Sequence, residues 1–166
     1  IYLHEGDQAQ SGFLVEAWPC GLVIEIGPVP QGVLNTRIIH QNKLTLEICL
    51  EEISKVQQGE ALFPKQVIIH RHLGSKDFPR DLAGNVNAFI HKDLQGNDWF
   101  PINSGDPLFE NALGEITPYN DDLSVVPVFV NEGAYMEKNI AMSLTKKEVW
   151  PFISAWELEL KQLILN

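Results

Sequence analysis

Cysteine is scarce in this sequence, and long hydrophobic runs are absent. Cys20 and Cys49 are the only cysteines among 166 residues, one beside an apolar run and the other inside a helical pattern. This usage does not indicate a disulfide framework and favours a reducing, cytoplasmic setting. The apolar stretches are shorter than the roughly 20 residues that cross a bilayer, and no charged-then-apolar leader opens the chain. Neither membrane insertion nor export is indicated.

Basic residues are also few. The chain has 12 Lys and Arg against 22 Asp and Glu, which gives a net charge of −10. Such a charge repels nucleic-acid backbones and anionic membrane surfaces, so neither is expected as a partner. A site for a small anion would need local positive charge from a metal, basic side chains or backbone amides. Hydrophobic residues at 45% and charged residues at 20% are ordinary for a globular protein.

The first part of the chain has the pattern of an α/β domain. Residues 12–17 and 21–26 are short apolar runs bounded by turn formers, as in strands buried on both faces. A turn at 27–30 then leads into an amphipathic helix predicted over about 31–58 and ending near Gly59. Residues 1–5 are already strand-like, and neither an initiator methionine nor a preceding segment stands before them. We therefore expect the chain to be part of a longer protein. The helix is marked by apolar residues at three- and four-residue spacing: Ile39, Leu46, Cys49, Leu50, Ile53 and Val56.

The second part of the chain has a β-rich pattern. Short apolar or alternating runs at 66–73, 86–91 and 123–131 are separated by Gly, Pro, Asn and Asp clusters. Residues 150–165 carry both strand-like and helix-like spacing, and the pattern does not decide between them. The predicted fold class is therefore α+β overall. It combines the end of an α/β domain, residues 1–62, with a β-rich domain, residues 63–166.

Glu25 is the strongest chemical candidate because it interrupts an apolar run two residues before a Gly-Pro turn. A carboxylate in a buried strand is costly unless it is paired, metal-linked or protonated. At the carboxyl end of a strand in an open α/β sheet it could serve as a general base. A structural salt bridge, or a position on an edge strand facing water, is the alternative reading.

Three ordered segments resemble the aspartoacylase family of carboxypeptidase-like zinc hydrolases. The first is Glu25-Ile26-Gly27-Pro28-Val29-Pro30-Gln31-Gly32. The second contains Phe78-Pro79-Arg80-Asp81, Ile90-His91, Leu94-Gln95, Asp98-Trp99 and Gly105-Asp106-Pro107. The third is Pro127-Val128-Phe129-Val130-Asn131-Glu132-Gly133-Ala134-Tyr135. The resemblance covers about residues 20–145 and identifies the chain as the C-terminal half of such a protein.

This resemblance implies an activity and residue roles. The family deacylates N-acyl amino acids such as N-acyl-aspartate with a water activated by one zinc ion. Glu25 matches its general base and acid, and Tyr135 matches a tyrosine that contacts the substrate. The alternative reading of Tyr135 is a packing residue that caps the domain interface. The remaining matched turn residues, Gly27 and Pro28 beside Glu25 and Asn131 and Glu132 before Tyr135, are expected to support these two. Glu132 is expected to hold its turn by accepting local hydrogen bonds.

The metal ligands of the family are missing from this chain. They are an N-terminal His-x-x-Glu pair and a later histidine, and none of the five histidines here has Glu three residues on. We therefore expect one zinc ion to be held by ligands from a missing N-terminal part, and the 166-residue chain alone to be inactive. His70 and His72 share a strand face and form a possible metal pair, although solvent-facing histidines are commoner. His91 is expected to stabilise a loop.

Two departures from the family pattern bear on the substrate. A family arginine about ten residues before the glutamate falls on Val15, and a basic residue after the tyrosine is shifted or replaced at Lys138. The acyl-amino-acid class is still implied, while the identity of the amino acid stays open. A non-catalytic β-rich binding module that kept the hydrolase scaffold is the alternative function. Unpaired apolar surface over residues 12–26 also predicts a homo-oligomer.

Overall fold

The first helix begins and ends at residues that favour those ends. The structure is a computed structural model and describes residues 1–5, 21–30 and 32–165. Helix α1 spans Thr36–Gln58, and the side-chain oxygen of Asn35 caps it by accepting from the Arg37 and Ile38 amides. Gly59 ends it in the left-handed conformation, with φ 75°, where the lack of Cβ removes the steric cost. The predicted helix is confirmed, with its start at residue 36.

Strands dominate the rest of the described chain. They are β1 Tyr2–Leu3, β2 Gln66–Asp77, β3 Ala88–Ile90, β4 Pro107–Asn111, β5 Ile116–Pro118, β6 Val126–Val128 and β7 Ile140–Pro151. One sheet has the order β1-β2-β7-β6 and a second has the order β3-β4-β5. Strand β1 pairs with β2 in parallel, whereas β3 with β4, β4 with β5 and β6 with β7 pair antiparallel. The chain thus combines helices with a β-rich part, as predicted.

The core of the β-rich part is built from both sheets. Leu108 and Phe109 on β4 and Met142 on β7 are almost completely buried and belong to one cluster. Thr145 is the most deeply buried of the polar side chains here, and its hydroxyl donates to the Val126 carbonyl at 2.7 Å. Since buried polar groups are costly without a partner, this bond explains how a hydroxyl is tolerated there.

The described chain divides into two compact units. One comprises Ile1–Glu5 and Ile68–Trp150, and the other comprises the described residues within 6–67 and 151–166. In the second unit, helix α2, Ser154–Leu165, contacts α1. The Phe63 and Phe152 rings in this unit stack at 5.2 Å. The predicted boundary at 62/63 placed the last residues with the β-rich domain, whereas the contacts group residues 151–165 with α1.

The segment 21–26 differs from its prediction as a buried strand. It has no regular secondary structure, and Leu22, Val23 and Ile24 are 65%, 63% and 50% exposed. A strand buried on both faces needs neighbours that accept its amides and cover its side chains. No strand of the described residues pairs with this segment, so it stays exposed. The companion prediction for residues 12–17 lies outside the described residues, as do Val15 and Cys20.

The helices of the described chain are not of the membrane-spanning kind. None of them combines the length and the apolar character needed to cross a bilayer. Cys49 on α1 carries a free thiol.

Candidate functional site

The segment that carries Tyr135 is a tight turn between β6 and β7. After β6 the backbone passes through left-handed conformations at Phe129, φ 55°, and Asn131, φ 57°. It then forms a 3-10 helix, Gly133–Lys138, which ends at Asn139 with φ 63°. A bulky residue such as Phe is uncommon in the left-handed region. Such strain persists only where the surroundings hold the backbone in place, and it concentrates at functional sites.

Two side chains from a distant loop hold this turn, which we call the tyrosine turn (residues 129–139). The Asp98 carboxylate accepts from the Val130 amide at 3.0 Å. The Gln95 side-chain carbonyl accepts from the Asn131 side-chain amide at 2.9 Å. The Asn131 backbone amide also donates to the Ala141 carbonyl at 2.8 Å, which ties the turn to β7. The turn is therefore fixed by contacts from the 91–99 loop and from the sheet.

Tyr135 itself is half-buried and packs within an aromatic cluster. Its ring meets the Phe129 ring edge-on at 6.0 Å, and Phe129 in turn meets Tyr2 at 5.1 Å. Its backbone amide donates to the Glu132 carbonyl at 3.0 Å. Glu132 thus supports the turn through its backbone carbonyl. Its side chain makes no capping hydrogen bond to the 3-10 helix. Burial raises the pKa of Tyr2, and the neighbouring Tyr135 phenol raises it further.

Removal of the Asp98 carboxylate should loosen the tyrosine turn. Asp98→Ala leaves the amide of Val130, a residue only 5% exposed, without its charged acceptor. The expected loss in unfolding free energy is about 2 kcal/mol. The matched control is Gln95→Ala, which removes an exposed side-chain bond and should cost less than about 1 kcal/mol. Urea unfolding of the two variants measures both values, and equal losses would contradict the role given to Asp98.

The Phe78-Pro79-Arg80-Asp81 motif forms a structural turn. Asp81 Oδ1 accepts from the amides of Ala83 at 2.9 Å and Asn85 at 2.8 Å. The Arg80 guanidinium donates to the Gly84 carbonyl across the same loop. These contacts close a loop between Arg80 and Val86, which form a bridge. The motif is thus accounted for by local structure and needs no catalytic role.

The loop should open when Asp81 is protonated, and this should occur at a pH below the pKa of an ordinary aspartate. Hydrogen bonds from Asn85 and then from the neighbouring amides hold the pKa of Asp81 below its usual value. The stabilisation is therefore present above the unfolded-state pKa of about 3.9 and is lost as pH falls through the lowered folded-state pKa. Amide shifts of Ala83 and Asn85 should titrate with a midpoint below that value. The titration should vanish in Asp81→Ala, and a midpoint at or above about 4 would contradict the assignment.

Glu25 lies in the segment 21–30, which has no regular secondary structure, and is exposed. It is followed by Gly27 and Pro28, which are joined by a cis peptide bond. The prediction that Glu25 is desolvated in a buried strand is therefore not met within the described chain. The reason is the one given for its neighbours: no described strand covers the segment.

Local contacts account for His70, His72 and His91. His70 is buried and meets the Trp99 ring edge-on at 5.0 Å. His72 makes a hydrogen bond at 3.0 Å between Nδ1 and the Tyr2 hydroxyl and meets the His4 ring at 4.7 Å. Burial lowers the pKa of both His70 and His72. His91 stabilises a loop, as predicted, since Nδ1 accepts from the Asp93 amide.

A metal site is not formed by the described residues alone. They contain no group of three or more His, Cys, Asp or Glu side chains that could hold a metal ion. The donor set needed for zinc, commonly three or four such ligands, is thus not met by the part of the chain that the structure describes.

The supporting residues Gln95 and Asp98 were not predicted as part of the site. Both belong to the matched second segment, but their partners lie 36 and 32 residues away along the chain. Periodicity and turn signals do not report contacts of that separation.

Comparison with known proteins places the chain in a family. Residues 65–147 match the model of the AstE/AspA barrel-sandwich hybrid domain. A protein from Prochlorococcus marinus named probable aspartoacylase is 56% identical over 99% of this chain and 54% of its own length. One of the same name from Parasynechococcus marenigrum is 49% identical over the same shares. The chain therefore spans about half the length of these relatives.

A solved structure agrees with this relationship. Murine aminoacylase 3 superposes with a TM-score of 0.70 and 37% sequence identity, over 74% of this chain and 41% of that one. The matched range 65–147 contains strands β2 to β6, the 91–99 loop and the tyrosine turn. The chain therefore belongs to the AstE/AspA family, and its residues 65–147 are the barrel-sandwich hybrid domain of that family.

Proposed function

We propose that the full-length protein containing this chain hydrolyses the amide bond of N-acyl amino acids, with N-acyl-aspartate as the first candidate substrate. The observation that carries the proposal is the tyrosine turn, whose strained backbone is fixed by Asp98 and Gln95. A turn held in this way keeps a half-buried phenol in one position, as a substrate-contacting group requires. The family to which the chain belongs supports the reaction class.

Tyr135 is assigned to substrate binding. Its phenol can donate a hydrogen bond to a substrate carboxylate or to the oxygen that becomes negative as water adds to the amide carbonyl. The edge-on contact with Phe129 restricts the ring, so little rotational freedom is lost when a ligand binds. Asn131 and Glu132 support Tyr135 through the backbone of the turn.

Glu25 is assigned to proton transfer. Its carboxylate takes a proton from the attacking water and delivers one to the leaving nitrogen, so that the carbon–nitrogen bond breaks with a neutral amine as product. Gly27 and Pro28 fix the chain directly after it. Because Glu25 is exposed within the described residues, we assign its desolvation in the working enzyme to other parts of the full-length protein.

The proposal also covers the zinc ligands, the cellular location and the oligomeric state. We place the zinc ligands in parts of the full-length protein other than the described residues, which explains why the chain has no His-x-x-Glu. The scarce cysteine, with Cys49 free, supports a cytoplasmic protein. The exposed apolar side chains of 22–24 support a homo-oligomer or a further domain that covers them.

The exposure of Glu25 favours a second candidate function, a non-catalytic binding module on the same scaffold. Metal content separates the two candidates. If the full-length protein is the proposed hydrolase, elemental analysis should find about one zinc per chain, and removal by a chelator should abolish activity that added zinc restores. A full-length protein that binds no zinc would favour the binding module.

The substrate class is tested with a panel of N-acyl amino acids. Full-length protein with zinc restored is assayed for release of free amine from N-acetylated aspartate, glutamate, leucine and phenylalanine. Turnover of at least one member, and none by the 166-residue chain alone, is the expected result. Failure of the full-length, zinc-loaded protein on all four would contradict the proposed function.

A further inference from the structure

A groove of about 440 Å³ lies in the unit formed by residues 1–5 and 68–150, and none of its lining residues belongs to the tyrosine turn. Its volume falls within the range of small-molecule sites. The walls combine apolar side chains, among them Trp99, Leu123 and Val126, with the polar groups of His70, Ser124 and Lys147. Apolar walls with a few convergent polar groups are the usual composition of a ligand site. No residue of the groove has a role in the proposed hydrolysis.

The positive charge of the groove comes from β7. Lys146 and Lys147 both line it and are exposed, and neither makes an ion pair with a carboxylate among the described residues. Lys147 shares a strand face with Thr145, whose hydroxyl lies 3.5 Å from His70 Nδ1. Lys146 also acts electrostatically on Glu148. In a chain with net charge −10, an unpaired lysine beside an apolar cavity offers the local charge that a small anion needs.

His70 adds a polar surface without charge. Burial lowers its pKa, and the N-terminal ammonium group of Ile1 and then Lys147 contribute to the same effect. This shift favours the neutral form of the imidazole. The groove thus presents lysine charge at one side and neutral or apolar groups elsewhere.

Trp99 provides a fixed aromatic wall. Its φ is 72°, a left-handed conformation that is uncommon for a large side chain. The Trp99 amide donates to the Pro127 carbonyl at 3.0 Å, and the adjacent Asp98 is tied to Val130. The indole nevertheless remains 47% exposed. A backbone held in a costly conformation to keep an indole at the cavity surface fits a role in binding an apolar or aromatic group.

We propose that this groove binds a small organic carboxylate with an apolar or aromatic body, which lies against Trp99 while its carboxylate pairs with Lys147. The inference is independent of the proposed hydrolysis, because it uses neither Glu25 nor Tyr135. Binding here and turnover elsewhere can therefore succeed or fail separately.

Titration of the full-length protein with phenylacetate tests the groove. The indole N–H signal of Trp99, assigned by its loss in Trp99→Phe, and the amides of Ser124 and Lys147 should shift together. Lys147→Gln should weaken binding about fivefold, the scale of one solvent-exposed ion pair. The matched control Lys76→Gln removes the same charge from an exposed position on β2 and should change affinity less than about twofold.

A neutral analogue tests the role of the carboxylate. Phenylacetamide has the same apolar body and should bind at least about fivefold more weakly than phenylacetate. Equal binding of the two compounds, equal effects of the two lysine variants, or unshifted signals at Trp99, Ser124 and Lys147 would each overturn the proposal.

Discussion

Tyr135→Phe should lower kcat/KM for N-acyl amino acid hydrolysis by the full-length protein about 10- to 100-fold. The change removes one hydroxyl and leaves the edge-on contact with Phe129 in place. A hydrogen bond to a charged group contributes about 1.5 to 3 kcal/mol, and each 1.4 kcal/mol is a factor of about ten. The turn should keep its fold, because its supports from Asp98 and Gln95 involve residues 130 and 131.

The kinetic parameters also show which atom of the substrate Tyr135 contacts. A rise in KM with kcat unchanged indicates a bond to the substrate carboxylate, whereas a fall in kcat indicates a bond to the developing oxyanion. Tyr119→Phe is the matched control. It removes a buried hydroxyl that donates to the Leu123 carbonyl at 2.8 Å, outside the tyrosine turn, and should leave kcat/KM within about twofold. Similar losses in the two variants would indicate a general effect on folding.

Glu25→Gln should have the largest effect on activity, a loss of about 10²- to 10⁴-fold in kcat. The amide has nearly the shape of the carboxylate but cannot accept and return a proton at neutral pH. Glu60→Gln is a suitable control, since Glu60 is also exposed and lies in the same compact unit. That variant should retain activity within about twofold of wild type. Circular dichroism and zinc content should be unchanged in both variants.

Sequence patterns over a few residues predicted helix α1 and the positions of several strands. Helix α1 ends at Gly59 because the left-handed cap favours glycine, and this was visible in the sequence. Strands β2, β3 and β6 begin within the predicted runs 66–73, 86–91 and 123–131, although β2 extends four residues further. Residues 150–165 contain the end of β7 and then helix α2. The strand-like and helix-like spacings in this range therefore belong to two different elements.

Features that depend on distant partners were not predictable in the same way. The apolar run 21–26 has the composition of a buried strand, but its burial depends on neighbouring strands that the described chain does not provide. The supports of the tyrosine turn depend on Asp98 and Gln95, more than 30 residues upstream. The groove is lined by Trp99, whose backbone is left-handed, a conformation that a large side chain does not favour.

Family resemblance supplied what local patterns could not. It marked both the 91–99 segment and the 127–135 segment as matched, and the structure shows direct hydrogen bonds between the two. It also drew attention to Phe78-Pro79-Arg80-Asp81, which proves to be a loop closed by Asp81 and Arg80. Matched motifs therefore include residues that shape the domain as well as residues assigned to chemistry.

The account rests on this chain contributing an acid–base carboxylate to an amide hydrolase. Release of free amine from N-acetylaspartate, measured for zinc-loaded full-length protein and for its Glu25→Gln variant, tests this most directly. We predict turnover by the wild type and a rate at least about 100-fold lower in the variant. Equal rates for the two proteins at equal zinc content would contradict it.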